Sequence, residues 1–324
     1  MIILAFLGFV LAFVLLFKSA DYFVDGATGI AGCLNIPRII VGIVLVGLAT
    51  TAPEFVVSVA AAFRHHPEIA LGNAIGSVIC DDGVALGLAA VLAPTPILVS
   101  RSLLKRVGIF LLAIDGLAYL FARNGSLGRL EGAVLVALLM AYFVILIRYR
   151  RPRSRAVPCD ADMPDPNSGA DRNQTLKRPV IQFLAGLAGV VVTGNIVVES
   201  AVYIAEFFSV PEIIIGSTVI ALGTSLPEIS TCITAVRKGE GELAVGNILG
   251  ADVLNILWII GVASLVQPIH VDRDVINFAF PFMILIVGVM LGGMWRRGRL
   301  ERPTGFLLIA LYVVYIVLTV TLFI

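Results

Sequence analysis

GLATTAPEF, from Gly47 to Phe55, and ALGTSLPEI, from Ala221 to Ile229, are two versions of one phrase. Thr50, Pro53 and Glu54 return as Thr224, Pro227 and Glu228, each 174 positions later. The same offset carries Gly72-Asn73 to Gly246-Asn247, Gly76 to Gly250, Pro37 to Pro211, Gly42 to Gly216, Glu68 to Glu242 and Asp25 to Glu199. A register held without a gap over such a distance marks a duplicated unit.

Composition says where that unit lives. The 324 residues are 59% hydrophobic and 14% charged, with mean hydropathy +1.01. Soluble domains run near 25% charged, so this is a membrane protein. With 23 Lys+Arg against 22 Asp+Glu there is no basic field, which excludes nucleic acid as a partner. Cys33, Cys80, Cys159 and Cys232 form no C-x-x-C, so neither a zinc site nor a disulfide framework is expected. The apolar N-terminus has Lys18 after its run instead of before it, which reads as a first span and not a signal peptide.

A spanning helix needs about 20 apolar residues. Candidates fall at 2–20, 39–62, 69–93, 104–122 and 131–147, then at 180–200, 213–235, 243–266, 276–294 and 304–323. The expected fold is therefore an all-α membrane protein of ten transmembrane helices. Residues 1–147 form a first five-helix unit (motif core about 43–93) and 179–324 a second (motif core about 217–267). Between them, 148–178 reads as a loosely ordered linker. Its eight basic residues, Arg148, Arg150, Arg151, Arg153, Arg155, Arg172, Lys177 and Arg178, place it in the cytoplasm and both termini outside. Arg296, Arg297, Arg299 and Arg302 are expected on the outer side, so the remaining loops add little to that orientation. Two copies of an odd-span unit enter the membrane in opposite senses, giving an inverted-topology repeat with a site near the midplane.

Intramembrane carboxylates are expensive and mark function. Glu54 and Glu228 each follow a proline that withholds a hydrogen bond from the carbonyl four residues back, so an interrupted helix with freed carbonyls is expected. Thr50 and Thr224 lie four residues before the glutamates, on the same helix face, and Thr51 and Ser225 add oxygen. In the next span Ser77 and Asp81 share a face, with Ala251 and Asn255 as their counterparts. These hard oxygen donors suit Ca2+ or Na+ and disfavour zinc and copper. Cys80 points away from Asp81 and is left out. Asp82, whose counterpart is Ile256, is read as structural, and Asp115 as a structural hydrogen-bonder or weak secondary site. Asp25 and Glu199 pair across the repeat near the cytoplasmic span ends, where interfacial solvation explains them as well as a functional role does, and His65, His66 and His270 are read as solvated in loops.

At these residues the chain resembles the sodium/calcium exchanger family of the cation/calcium antiporter superfamily, in its compact prokaryotic form. Ala221-Leu222-Gly223-Thr224-Ser225-Leu226-Pro227-Glu228 matches the family signature closely, followed by Gly246-Asn247-Ile248-Leu249-Gly250. Gly72-Asn73-Ala74-Ile75-Gly76-Ser77 fits well, and Gly47 to Glu54 more loosely. The resemblance implies an antiporter, not an enzyme. It would exchange Na+ for Ca2+ by alternating access and need no cofactor. Glu54 and Glu228 would bridge Ca2+, with Thr50 and Thr224 giving backbone oxygen. Thr51, Ser77, Asp81, Gly47, Ala221, Ser225, Asn255 and Ala251 would line the Na+ sites. The first and sixth helices would slide as a pair, with Gly26, Gly29 and Gly32 suited to close contact. A prokaryotic inner-membrane location and a monomer, whose partners are lipid and the transported ions, complete the expectation.

Some departures concern sodium. Asp81 and Asn255 exchange the acid and amide of some relatives, Ala251 lacks a hydroxyl, and Gly47 and Ala49 invert the usual small-residue order. The alternative is a proton/calcium antiporter, in which an apolar site would let Asp81 carry H+; that branch usually has Gly-Asn-x-x-Glu where this chain has Ala-Pro-Glu and Leu-Pro-Glu. A channel needs a continuous pore, and an intramembrane aspartyl protease needs apposed aspartates where the repeated acids are glutamates.

Overall fold

The computed structural model describes residues 2–148, 172–208 and 221–323. Helix α1 runs Ile2–Leu34, α2 Arg38–Phe63, α3 Pro67–Leu92, α4 Arg101–Ala122, α5 Arg129–Arg148 and α6 Arg172–Phe207. After these come the short turn α7, Ala221–Thr224, then α8 Leu226–Arg237, α9 Gly241–Val266, α10 Val275–Arg297 and α11 Arg302–Phe323. Eight of the described helices are long and apolar enough to cross a membrane. Of the expected span 213–235, residues 213–220 lie outside the described residues, as does the linker over 149–171.

Four two-residue strands, absent from the all-α expectation, tie the ends together. β1 (Ile97–Leu98) pairs antiparallel with β4 (Arg299–Leu300), and β2 (Ser126–Leu127) with β3 (Ile269–His270). Helix direction then defines two faces. α5 ends and α6 begins on the face of β1 and β4, here called the linker face; Arg296, Arg297, Arg299 and Arg302 flank β4 on this same face, which corrects the expectation that they lie on the side opposite the linker. The α2–α3 turn and the β2–β3 ribbon lie on the opposite face, where His65 Nδ1 sits 2.8 Å from Gln267 Oε1.

Helices α9 and α3 form the centre, 83% and 72% buried over their apolar windows, against 17% for α11 and 28% for α1 and α6. The outer helices turn Phe6, Leu7, Leu11, Val313 and Val317 outward, as lipid contact requires. In lipid, helices associate through close approach of small residues, and Gly42, Gly246 and Gly250 serve this. A Cβ on Gly42 of α2 would stand 2.6 Å from the Leu243 carbonyl of α9. Gly246 and Gly250 likewise press on the backbones of Ile39 and Ile43. Along α1 and α6, Gly29 meets Pro179, Gly26 meets Phe183, Phe23 meets Gly186 and Ser19 meets Gly189, so the two run antiparallel.

Segment boundaries also recur at the 174 offset. α3 comprises Pro67–Cys80, a π-helical turn Asp81–Leu86 and Gly87–Leu92; α9 comprises Gly241–Leu254, a π turn Asn255–Ile260 and Gly261–Val266. π turns favour functional sites because they rotate the side chains that follow.

Several expectations are corrected. α1 continues to Leu34, well past residue 20, because no breaker precedes Asn35 (φ 52°) and Pro37. α6 spans Arg172–Phe207 instead of 180–200, so 172–178 of the expected linker is helical. Pro53 does not interrupt α2; the irregularity lies two or more turns earlier, in a π turn at Gly42–Val46. Pro227 does coincide with a break, because Ser225 leaves helical geometry (φ −88°, ψ 6°) and the proline starts α8. Cys33 is disulfide-bonded, a single bond and not a framework, while Cys80 and Cys232 are free and buried.

Candidate functional site

The two Pro-Glu segments meet at the centre of the molecule. Glu54 of α2 and Glu228 of α8 are buried to 1% and 0% exposure and lie within electrostatic reach of each other. Asp81, fully buried at the start of the α3 π turn, faces both glutamates. Ser77 donates to Glu54 Oε1 at 2.7 Å, and Ser225 and Asn255 also flank Glu54. Thr50 lies beside Glu228. Its hydroxyl is 3.2 Å from both the Val46 carbonyl and Asn247 Oδ1, and with one proton it donates to one of them at a time.

Most of the remaining oxygens are unsatisfied. Glu54 Oε2, both oxygens of Glu228, both of Asp81, the hydroxyls of Thr51 and Ser225 and the whole amide of Asn255 are buried without a protein hydrogen-bond partner. A buried carboxylate without a partner costs several kcal/mol, and three in one place are neutralised either by a bound cation or by protons. Among the described residues no three acid, His or Cys side chains close on a point as a metal cage. Hydroxyl and main-chain oxygens would have to fill the shell of a six- to eight-coordinate ion.

Of the other candidates, Gly47 packs within 3.3 Å (from an added Cβ) of Gly250 and Ala251 of α9, so it shapes the wall. Ala251 is fully buried, and Thr224 is half-buried at the end of α7. Ala221 starts α7, and its side chain lies outside the described residues.

Four residues escaped the sequence reading. Asn73 donates to Ser58 Oγ at 3.0 Å, and Asn247 donates to Cys232 Sγ at 3.7 Å. Both ends of these bonds are 174 apart, so each Gly-Asn helix grips the Pro-Glu helix of its own half in the same way. The duplicated asparagines were the available signal. Cys80, set aside earlier, lies within reach of Ser225 and Tyr312 because the π turn begins at its neighbour. Asp252 had no acidic counterpart, since Val78 occupies the matching position. In the structure its carboxyl lies near those of Asp82 and Asp115, all three fully buried. Among the described residues no carboxyl oxygen of Asp82, Asp115 or Asp252 has a hydrogen-bond partner, so of the two readings of Asp115 the structural hydrogen-bonder is not the one found. His65, His66 and His270 are exposed, as expected.

Long apolar helices packed around buried, unpaired acid and hydroxyl oxygens define an integral membrane protein that handles small cations. Comparison with known proteins agrees: the family profile described as "Sodium/calcium exchanger protein" matches residues 4–148 and 178–321. The chain belongs to the sodium/calcium exchanger family and is thus a membrane antiporter. It is 33% identical to the putative antiporter CaxA of Alkalimonas amylolytica, over 93% of this chain and 94% of that one. It is 30% identical to the sodium/calcium exchanger MaX1 of Methanosarcina acetivorans, over 98% and 99%. Its fold is similar to the sodium-calcium exchanger NCX_Mj soaked in Na+ without Ca2+, with TM-score 0.83 at 26% identity over all of both chains.

Proposed function

We propose that the protein exchanges Na+ for Ca2+ by alternating access at the site between α2, α3, α8 and α9. The observation that carries this reading is the burial, side by side, of Glu54 and Glu228 with oxygens that no protein group satisfies. In this reading the two carboxylates bridge Ca2+, and main-chain oxygens of Thr50 and Thr224 complete its shell. Thr51, Ser77, Asp81, Ser225 and Asn255 line Na+ positions, walled by Gly47, Ala221 and Ala251. Coupling follows from electrostatics. One set of carboxylates cannot carry both loads at once, and without any load its charge opposes crossing an apolar barrier.

The architecture proposed is ten transmembrane helices in two inverted five-helix repeats, with the linker between them shortened from the expected 148–178 to 149–171 by the helices on either side. The antiparallel course of α1 and α6, and the matched segmentation of α3 and α9, support it. The linker is placed in the cytoplasm and both termini outside, in a prokaryotic inner membrane, with the chain acting as a monomer.

The test is uptake of radiolabelled Ca2+ into proteoliposomes loaded with Na+, beside vesicles carrying only a pH gradient. Uptake driven by Na+ is expected. A second reading, H+/Ca2+ exchange, is favoured by Asp81, a buried acid with neither oxygen satisfied. Uptake driven by the pH gradient alone would establish that reading in place of the first.

A further inference from the structure

Lys238, in the turn between α8 and α9, reaches across to α1. Its ammonium donates to Asp25 Oδ1 at 2.6 Å and to the Asp21 carbonyl at 3.2 Å, with Asp21 Oδ1 at 3.6 Å. The cation thus joins the α1–α6 pair to the helices bearing the site, on the linker face. Of the two readings left open for Asp25, interfacial solvation alone therefore does not describe it.

The 174 offset carries Lys238 back to Arg64, Asp25 forward to Glu199 and Asp21 forward to Asn195. Arg64 follows the last residue of α2, and Glu199 lies toward the far end of α6, so this second set belongs to the opposite face. Asp25 and Glu199 therefore do not share a face. Arg64 and Glu199 are both exposed, and neither makes an ion pair among the described residues. Packing has the same asymmetry. α1 lies along α8, whereas α6 touches the Gly47–Phe63 part of α2 only briefly.

We propose that Lys238–Asp25 and Arg64–Glu199 are alternating latches, one on each face, of which the first is closed and the second open in this state. The inference rests on the alternating-access reading: when the α1–α6 pair moves against the site helices, one latch parts as the other forms. An exposed ion pair contributes little to folding, and Lys238 and Asp25 retain 28% and 50% side-chain exposure. Two conformations close in free energy are more sensitive, and a pair of this kind shifts their ratio by about two- to fivefold. Asn195 in place of a second acid leaves the opposite latch weaker, so the state with Lys238 engaged is the favoured one.

The test introduces Arg64→Cys and Glu199→Cys together and measures their cross-linking in membranes by a short bifunctional thiol reagent, with each single cysteine as background. Adding Lys238→Gln or Asp25→Asn is expected to raise the yield about two- to fivefold. The charge swap Lys238→Asp with Asp25→Lys is expected to bring it back down. Unchanged yield in every variant, or a rise that the swap leaves in place, would overturn the latches. Cross-linking needs no ion flux, so Na+-driven uptake succeeds or fails independently of it.

Discussion

Glu54 and Glu228 are related by sequence, but their environments differ in one respect. Glu54 accepts from Ser77, whereas the matching position in the second half is Ala251, and both Glu228 oxygens lack a partner. Glu54→Gln and Glu228→Gln are each expected to abolish Na+-driven Ca2+ uptake. The loss should be at least the ~10–100-fold seen when a group behind a metal ligand is removed. Thermal midpoints in detergent should stay equal to or above wild type, since an unpaired buried charge is removed. Uptake retained by either variant would remove the glutamates from the site. Asp81→Asn should keep Ca2+ binding while changing the Na+ or H+ dependence of exchange, read by titrating each ion against radiolabelled Ca2+. Complete loss of Ca2+ binding would make Asp81 a direct ligand instead.

At the scale of the element, the crossing of α2 and α9 is held by glycines with no room for a side chain. Gly42→Ala forces a methyl against the Leu243 carbonyl, and Gly250→Ala forces one against Ile43. Each is expected to cost about 1–3 kcal/mol, seen as a lower thermal midpoint. Gly288→Ala in α10 meets no described atom within 4 Å and serves as the control. It should be neutral or gain up to about 1 kcal/mol from helix propensity. A midpoint for Gly250→Ala matching that control would mean the two helices separate easily, and the wall of the site would not be rigid.

Across the whole molecule, the two ribbons pin helix ends on opposite faces, while α1 and α6 contact each other and the site helices through small residues and exposed charges. Such a division into a tied core and a loosely attached pair suits alternating access. Protease cleavage within 149–171 in right-side-out vesicles checks the orientation. Protection is expected there, with cleavage once the vesicles are opened. Cleavage in sealed vesicles would invert the topology.

Much of this protein was legible in its residue order, because a duplicated unit prints its own register. The spacing of Thr50, Pro53 and Glu54 against Thr224, Pro227 and Glu228, with runs of apolar residues on either side, was enough to nominate the site and the membrane. Hydropathy could not place helix ends, since Asp21 and Asp25 read as a boundary until Lys238 neutralises them from another part of the chain. Pro53 also misled, because the helix runs through it unbroken and the π turn of α2 lies upstream at Gly42–Val46. Asp252 stayed hidden, since it breaks the repeat, and its closeness to Asp82 and Asp115 arises only where three helices converge. Local chemistry and periodicity are carried along the chain. Which acids share a dry interior, and which cation reaches which carboxylate, is decided by contacts between residues far apart in sequence, and those come into being only with packing.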